Sequence, residues 1–148
     1  MKVWLAVILL SVNLSVFGQE GTNISSLVDR INNENLGGVC MYVWTIVLKN
    51  ESKAALELIE IGTSATDELV EALADPEKVI IAHYILSRIW LKEFEITSEI
   101  RVSGSIRYYM NDLSFINGSN KFIIDSSELG KCQIYWRFLL NQKGYYKN

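Results

Sequence analysis

The sequence predicts an α+β domain that is mainly α, in which helical hairpins are followed by a small antiparallel β-meander and a C-terminal helix. Apolar residues recur at helical spacing between residues 52 and 91. Short apolar runs separated by turn signals follow between residues 105 and 124, and the helical spacing then returns. With 148 residues, 49% of them hydrophobic, the chain is long enough for one domain whose core needs no disulfide or metal.

The first eighteen residues are predicted to be an export signal. Lys2 supplies a positive start, residues 3–10 are almost entirely apolar, and Val16 and Gly18 are small residues at positions that a signal peptidase reads. The apolar run is short for a membrane span, which needs about 20 residues. An uncleaved anchor and a buried N-terminal helix are the rival interpretations. Cleavage after Gly18 predicts a single mature domain, residues 19–148, in the periplasm or outside the cell.

Residues 24–91 are predicted to form a helical core that begins with a short helix capped by Asn23 or Ser25. Residues 39–48 allow two interpretations. Their apolar side chains fit one face of a helix, whereas their content of Val, Ile and aromatic residues fits a buried strand. A helix is preferred, because Asn50 and Ser52 would then cap the next segment at a short connection between helices.

Three further helices are predicted to complete this core. The first ends at Gly62, and the second begins in the Thr- and Ser-rich segment 63–66. Asp75 and Pro76 then restart the chain, with Asp75 as N-cap and Pro76 as the first helical residue. The third helix, residues 79–90, is apolar on more than one side, which predicts that it lies at the centre of the core.

Residues 97–141 are predicted to hold the meander and the C-terminal helix. Asn-rich segments typical of tight turns separate the apolar runs. The strands are predicted at residues 105–110, 113–116 and 122–124. Asp125 and Glu128 resemble a capping box, and the apolar residues after them follow helical spacing, although Gly130 weakens a helix by about 1 kcal/mol relative to Ala.

Residues 61–76 contain a small-residue corner, a Leu-containing helix and an Asp-Pro turn, and the next helix carries Ala82 and Leu86. This arrangement, within residues 52–91, resembles a HEAT-type helical repeat. The sequence departs from the family in having Ile at positions 80 and 81, where an Arg is usual, and in showing no second copy of the period. The resemblance implies a HEAT-like helical core with a β-containing cap, and protein interaction rather than catalysis.

The two cysteines, Cys40 and Cys132, are candidates for a disulfide in an exported protein. Such a bridge closes a loop of about 90 residues and stabilises by roughly 4–5 kcal/mol in the chain-entropy model. Two buried free thiols are the rival interpretation, because Cys is among the most buried residue types.

No catalytic residue, cofactor or metal site is predicted. The only histidine, His83, lies on an apolar helical face, where a packed or hydrogen-bonded core histidine is expected. The carboxylate pairs Glu57 with Glu60 and Glu68 with Glu71 lie on polar helix sides and are predicted to be solvated. A net charge of −3 and scattered Lys and Arg argue against nucleic acid or an anionic membrane as partner.

Aromatic residues collect in the C-terminal third, where they pack in the core or form a binding surface. Adjacent residues of a strand point to opposite faces, so one of Tyr108 and Tyr109 is expected to be exposed. The candidate binding surface is Tyr108, Tyr109, Tyr145 and Tyr146. The predicted function is a non-catalytic, exported module that binds another protein. A small-ligand or glycan-binding protein and an enzyme of unknown type are the alternatives.

Overall fold

The structure is a computed structural model, and it describes residues 23–42, 45–50, 52–91, 96–100, 106–111, 113–117 and 122–146. The predicted export signal lies outside these ranges. In chain order the elements are α1 (Ile24–Asp29), β1 (Leu36–Tyr42), β2 (Thr45–Asn50), α2 (Lys53–Ile61), α3 (Thr66–Ala72), α4 (Val79–Trp90), β3 (Ile96–Ile100), β4 (Ile106–Met110), β5 (Leu113–Asn117), β6 (Phe122–Ile124) and α5 (Ser126–Gln142). This is the predicted α+β class, mainly α, and it ends with the predicted helix.

Helices α1 and α2 begin where the sequence predicts, because a side chain caps each of them. Asn23 Oδ1 accepts the N–H of Ser26 at 3.4 Å, and Ser52 Oγ accepts the N–H of Ala55 at 3.3 Å. Gly62 ends α2 with a φ of 71°, a left-handed conformation that glycine adopts without the strain of a Cβ.

The caps predicted for the next two helices are wrong. A 3-10 turn, Gly62–Ala65, runs directly into α3, and no side chain caps that start. Thr66, offered as a cap, is buried and accepts a hydrogen bond from Trp90 Nε1 at 3.0 Å. Asp75 Oδ1 accepts the N–H of Glu77 at 2.8 Å, so Pro76 belongs to a turn that precedes α4 rather than to its first turn.

A side chain from a distant part of the chain caps α4. Asn33, in a 3-10 turn before β1, accepts at Oδ1 the N–H groups of Ile80 and Ile81 at 3.0 and 3.1 Å. Its Nδ2 donates to the carbonyl of Pro76 at 2.8 Å. Because Asn33 is buried, these bonds satisfy N–H groups that have no partner within the helix and no access to water.

Residues 39–42 and 45–48 lie in strands, so the preference for a helix there is wrong. β1 and β2 pair antiparallel, with Val39 opposite Val47. The β-branched and aromatic residues of this stretch fit a pleated surface, and β1 includes Gly37 and Gly38, which disfavour a helix. The predicted helical core of residues 24–91 is therefore interrupted by a β-hairpin.

A four-stranded antiparallel meander follows α4, with β3, β4, β5 and β6 in sequence order. The last three strands are the predicted ones. β3 is an additional strand, because the first predicted strand of the meander begins only at residue 105. It pairs with β4 from Ile96 opposite Met110 to Ile100 opposite Ile106. Backbone pairing with a neighbour stabilises this strand even though its own apolar pattern is weak.

The Ile-rich helix α4 lies at the centre of the core, as predicted. Its buried side chains are Val79, Ile80, Ile81, Ala82, His83, Ile85, Leu86 and Ser87. Helices α2 and α3 pack against it, and α5 adds Trp136 and Leu140 to the core. The sheet contributes the rings of Tyr108, Phe115 and Phe122, whose centroids are 5.1 to 6.2 Å apart. Within the described ranges, no helix has the length and apolar content needed to cross a membrane.

Candidate functional site

His83 is fully buried, and both of its ring nitrogens have partners. Nε2 lies 2.6 Å from the carbonyl oxygen of Met110, and Trp136 Nε1 lies 2.6 Å from Nδ1. An indole N–H can only donate, so Nδ1 must be the unprotonated acceptor. Nε2 therefore carries the proton and donates it to Met110. These bonds connect α4 to the last residue of β4 and to α5.

The surroundings keep His83 neutral. Burial lowers its pKa to about 4, although the hydrogen bond to the Met110 carbonyl opposes this shift. A proton on Nδ1 would face the N–H of Trp136, so the charged ring would also lose that hydrogen bond. The expectation of a packed, hydrogen-bonded core histidine is confirmed.

Cys132 approaches His83, with Sγ 3.5 Å from Nδ1, but the pair is not arranged for nucleophilic catalysis. Burial raises the pKa of Cys132 to about 12, and the charge of Glu128 adds to the shift. Because the thiolate is the reactive form, the Cys132 thiol is inert at neutral pH. His83 cannot activate it, because Trp136 already occupies Nδ1.

Cys132 is a free and buried thiol, which gives the predicted bridge to Cys40 no support. The side chain of Cys40 lies outside the described residues. The bridge therefore stays a prediction.

Of the four tyrosines of the predicted binding surface, two lie in β4 and two follow α5. Tyr108 is only 3% exposed and packs on Phe115, so it belongs to the core, and its assignment to a binding surface is wrong. Tyr109 lies on the opposite face of β4 and is half-buried. Tyr145 is half-buried and Tyr146 is exposed, and their ring centroids are 5.0 Å apart just after α5.

Tyr145 and Tyr146 pack beside the first turn of α3. The carboxylate of Asp67 lies close enough to both hydroxyls for its charge to act on them, and the ring of Tyr145 packs edge-on against Trp90 at 5.4 Å. Burial, followed by the charge of Asp67, raises the pKa of both phenols. The two phenols therefore stay protonated at neutral pH, beside a carboxylate.

A groove of about 470 Å³ opens where α3, α5 and the C-terminal tyrosines meet. Its lining consists of Asp67, Glu71, Arg137, Asn141 and Tyr146. A second, shallower groove of about 620 Å³ continues from it between α1 and α3. The polar residues that line the second groove are Ser25, Asp29, Ser64, Asp67, Glu68, Glu71, Asp75 and Lys78. We refer to the two together as the acidic groove.

The acidic groove carries an excess of negative charge. Five carboxylates line it, against the two cationic side chains of Lys78 and Arg137. Arg137 Nη2 lies 3.0 Å from Glu71 Oε1, and Lys78 Nζ lies 3.6 Å from Asp29 Oδ1. These exposed ion pairs add little stability, but they leave an excess of three negative charges along the groove.

The carboxylate pairs noted in the sequence lie in different settings. Glu68 and Glu71 line the acidic groove. Folding of the chain brings Tyr146 and Arg137 into the same groove. Glu57 instead forms ion pairs with Arg30 and Lys53, each at 3.8 Å. Across the described ranges, no group of three or more His, Cys, Asp or Glu residues is placed to hold a metal ion.

The tyrosines and the spacing of the carboxylates are visible in the sequence, but Arg137 and Asn141 cannot be identified there as their neighbours. Both residues lie on the exposed side of α5, and only the packing of that helix against α3 brings them to the groove. Comparisons with protein-family models, with curated proteins and with solved structures find no match to this chain.

Proposed function

We propose that this protein is an exported, non-catalytic interaction module that binds a basic segment of a partner protein in the acidic groove. One observation carries the proposal: an open surface combines an excess of three negative charges with the exposed ring of Tyr146. Tyrosine is enriched among the residues that anchor protein interfaces, and complementary charge guides a partner to them.

The chemistry of the partner follows from the lining. Asp67, Glu68 and Asp75 offer acceptors for Lys or Arg side chains, and the ring of Tyr146 offers an apolar surface and a cation–π contact. An extended segment with alternating basic and apolar residues fits such a surface. The resemblance of residues 52–91 to a HEAT-type repeat supports the same class of function by analogy.

The state of His83 and Cys132 supports a non-catalytic role. His83 has both nitrogens engaged in the core, and the Cys132 thiol is protonated and buried. The N-terminal pattern of residues 1–18 supports export. An exported binding module is the function that joins these features.

Charge-neutralising variants test the proposal. The probe is a fluorescent peptide of alternating Lys and Leu, and its binding to the purified protein is followed by anisotropy at about 50 and 150 mM salt. The variant Asp67→Asn/Glu68→Gln/Asp75→Asn removes three charges from the groove, and we expect it to weaken binding at least tenfold. The control Glu34→Gln/Glu60→Gln/Glu77→Gln removes three charges elsewhere and is expected to weaken binding less than twofold.

A second measurement separates a specific site from general attraction to an acidic protein. Tyr146→Ala leaves the charge unchanged and is expected to weaken peptide binding several-fold, whereas Tyr109→Ala is expected to have no effect. Equal losses in the two triple variants, with no loss in Tyr146→Ala, would show that only net charge attracts the peptide. That result would refute the proposal.

Glycan binding is the alternative function for an exposed tyrosine surface. It draws on the exposed ring of Tyr146 and the half-buried ring of Tyr109. Binding to a glycan array that is lost in Tyr109→Ala or Tyr146→Ala, together with unchanged affinity for the basic peptide in the groove variant, would favour this alternative.

A further inference from the structure

Helix α5 presents an apolar stripe to solvent on the side opposite the core. Ile134 and Phe138 are one helical turn apart and are 71% and 63% exposed, more than any other large hydrophobic residue in the described ranges. Gly130 lies one turn earlier on the same side, and a Cβ built there meets no atom within 4 Å. We call Gly130, Ile134 and Phe138 the α5 stripe.

The composition of the α5 stripe is unfavourable for an isolated surface. A glycine inside a helix destabilises it relative to alanine, and nothing nearby in the fold requires glycine at position 130. Because Ile134 and Phe138 remain exposed to water, their side chains add no free energy of burial to the folded monomer. These features are expected where another surface packs closely on the helix.

We propose that the α5 stripe is the contact surface between two copies of this chain, with the two α5 helices antiparallel. A two-fold axis at Ile134 places Phe138 of each copy above Gly130 of the other, because both residues are four positions from the axis. Four residues correspond to about 6 Å along a helix. The large ring of Phe138 thus meets the one position on the stripe that has no side chain. This correspondence makes the stripe complementary to itself.

Helical geometry gives the ring a hollow to occupy. At about 100° per residue, Phe138 meets the space bounded by Ser127, Gly130, Lys131 and Ile134 of the second copy. This is the knob-into-hole packing of antiparallel helices, and the small residues Ser127 and Gly130 make room for the ring.

The charges that flank the α5 stripe permit this approach. Lys131 Nζ lies 2.9 Å from Glu128 Oε1, and Arg137 Nη2 lies 3.0 Å from Glu71 Oε1. Each cation is therefore paired within its own copy, and two copies can meet without repulsion between unpaired cations. Lys131 also lies on the same edge as Phe138, so its ammonium group can pack on the ring of the second copy.

The size of the contact predicts a weak dimer. α5 has 17 residues, and a single pair of such helices lies at the low end of specific interfaces. We expect a dissociation constant on the order of 10–100 µM. None of the three residues of the α5 stripe lines the acidic groove, so loss of peptide binding and loss of dimerisation can be measured with separate variants.

Sedimentation equilibrium of the purified protein from about 5 to 300 µM tests self-association, a range that spans the expected constant. Phe138→Ala is expected to raise the dissociation constant at least tenfold. Leu56→Ala, which removes a large hydrophobic residue that is 50% exposed on α2, serves as the matched control and is expected to change it less than twofold. A purified protein that remains monomeric throughout this range would overturn the proposal and leave a different protein as the occupant of the stripe.

Gly130→Gln separates association from folding. Glutamine favours a helix more than glycine does, and a Cβ at this exposed position meets no atom within 4 Å, so the melting temperature is expected to rise by a few degrees. The same side chain fills the hollow that Phe138 of the second copy needs, so dimerisation is expected to fall at least tenfold. A variant that is more stable and still dimerises normally would contradict the packing of Phe138 on Gly130.

Cysteine cross-linking tests the direction of the helices. Ile134→Cys lies on the proposed axis and is expected to form a disulfide-linked dimer under mild oxidation. Gln142→Cys, eight residues further along α5, is expected not to do so, because the two copies of this residue lie about 24 Å apart in the antiparallel arrangement. Cross-linking of both variants at similar rates indicates parallel helices and overturns the proposal.

Discussion

Replacing Asn33 by alanine removes a cap that lies 47 and 48 residues from the two N–H groups that it accepts. The Asn33 side chain accepts the N–H groups of Ile80 and Ile81 and donates to the carbonyl of Pro76. Without it, two buried donors at the start of α4 and one carbonyl lose their partners. A buried polar group left without a partner costs about 1–3 kcal/mol, and partial relaxation of the turn recovers some of this. We therefore expect Asn33→Ala to lower the free energy of unfolding by about 3 kcal/mol.

The measurement is urea unfolding, followed by tryptophan fluorescence and circular dichroism so that two-state behaviour is checked. The control is Asn23→Ala, the same substitution at the exposed cap of α1, where one bond of 3.4 Å is lost. We expect that control to cost less than about 1 kcal/mol. Asn33→Asp keeps the acceptor and places negative charge at the start of a helix. Its loss of unfolding free energy should therefore lie between the losses of Asn23→Ala and Asn33→Ala. If Asn33→Ala costs no more than Asn23→Ala, the cap of α4 contributes nothing beyond an ordinary surface cap, and the reasoning from burial fails.

Two further predictions concern the buried pair His83 and Cys132. The pKa of His83 is lowered from 6.5 to about 4 in the folded protein, so the unfolded chain binds a proton more readily. The stability that neutral His83 contributes is present above pH 6.5 and is lost progressively towards pH 4, by up to about 3 kcal/mol. As the pH is lowered over this range, the urea midpoint of the wild type should therefore fall more steeply than that of His83→Gln. Parallel plots of midpoint against pH would contradict the lowered pKa of His83. Cys132 should resist iodoacetamide in the native protein at pH 8, because its pKa is about 12 and it is buried, and should react once the chain is unfolded in urea. In urea without reductant, labelling of both cysteines indicates free thiols, whereas labelling of neither indicates the bridge between Cys40 and Cys132.

The binding surface could be predicted only in part, because it depends on which faces meet. The rule that adjacent strand residues point to opposite sides correctly separates Tyr108 from Tyr109. It does not say which of the two enters the core, and the packing of Tyr108 on Phe115 decides that. The neighbours of Tyr146 could not be predicted, since Asp67 and Arg137 approach it only when α5 packs on α3.

The features that the sequence alone determined depend on contacts within a few residues. Asn23, Ser52 and Asp125 each cap a helix through an N–H two or three positions ahead, and Gly62 ends a helix through its own backbone freedom. The spacing of isoleucines placed α4 at the centre of the core for the same reason, because helical periodicity is a local property.

The tertiary structure alone decided the features whose partners are remote. The sequence of residues 39–48 fits both a helical and a strand pattern, and the antiparallel pairing of β1 with β2 selects the strand at residues 39–42 and 45–48. β3 has little apolar pattern of its own and exists through its ladder with β4. The cap of α4 by Asn33 and the tautomer of His83 likewise depend on groups dozens of residues away. A local pattern specifies which donors, acceptors and apolar faces a segment presents. Only the folded chain specifies which remote groups bond to those donors and acceptors and which surfaces pack on those faces.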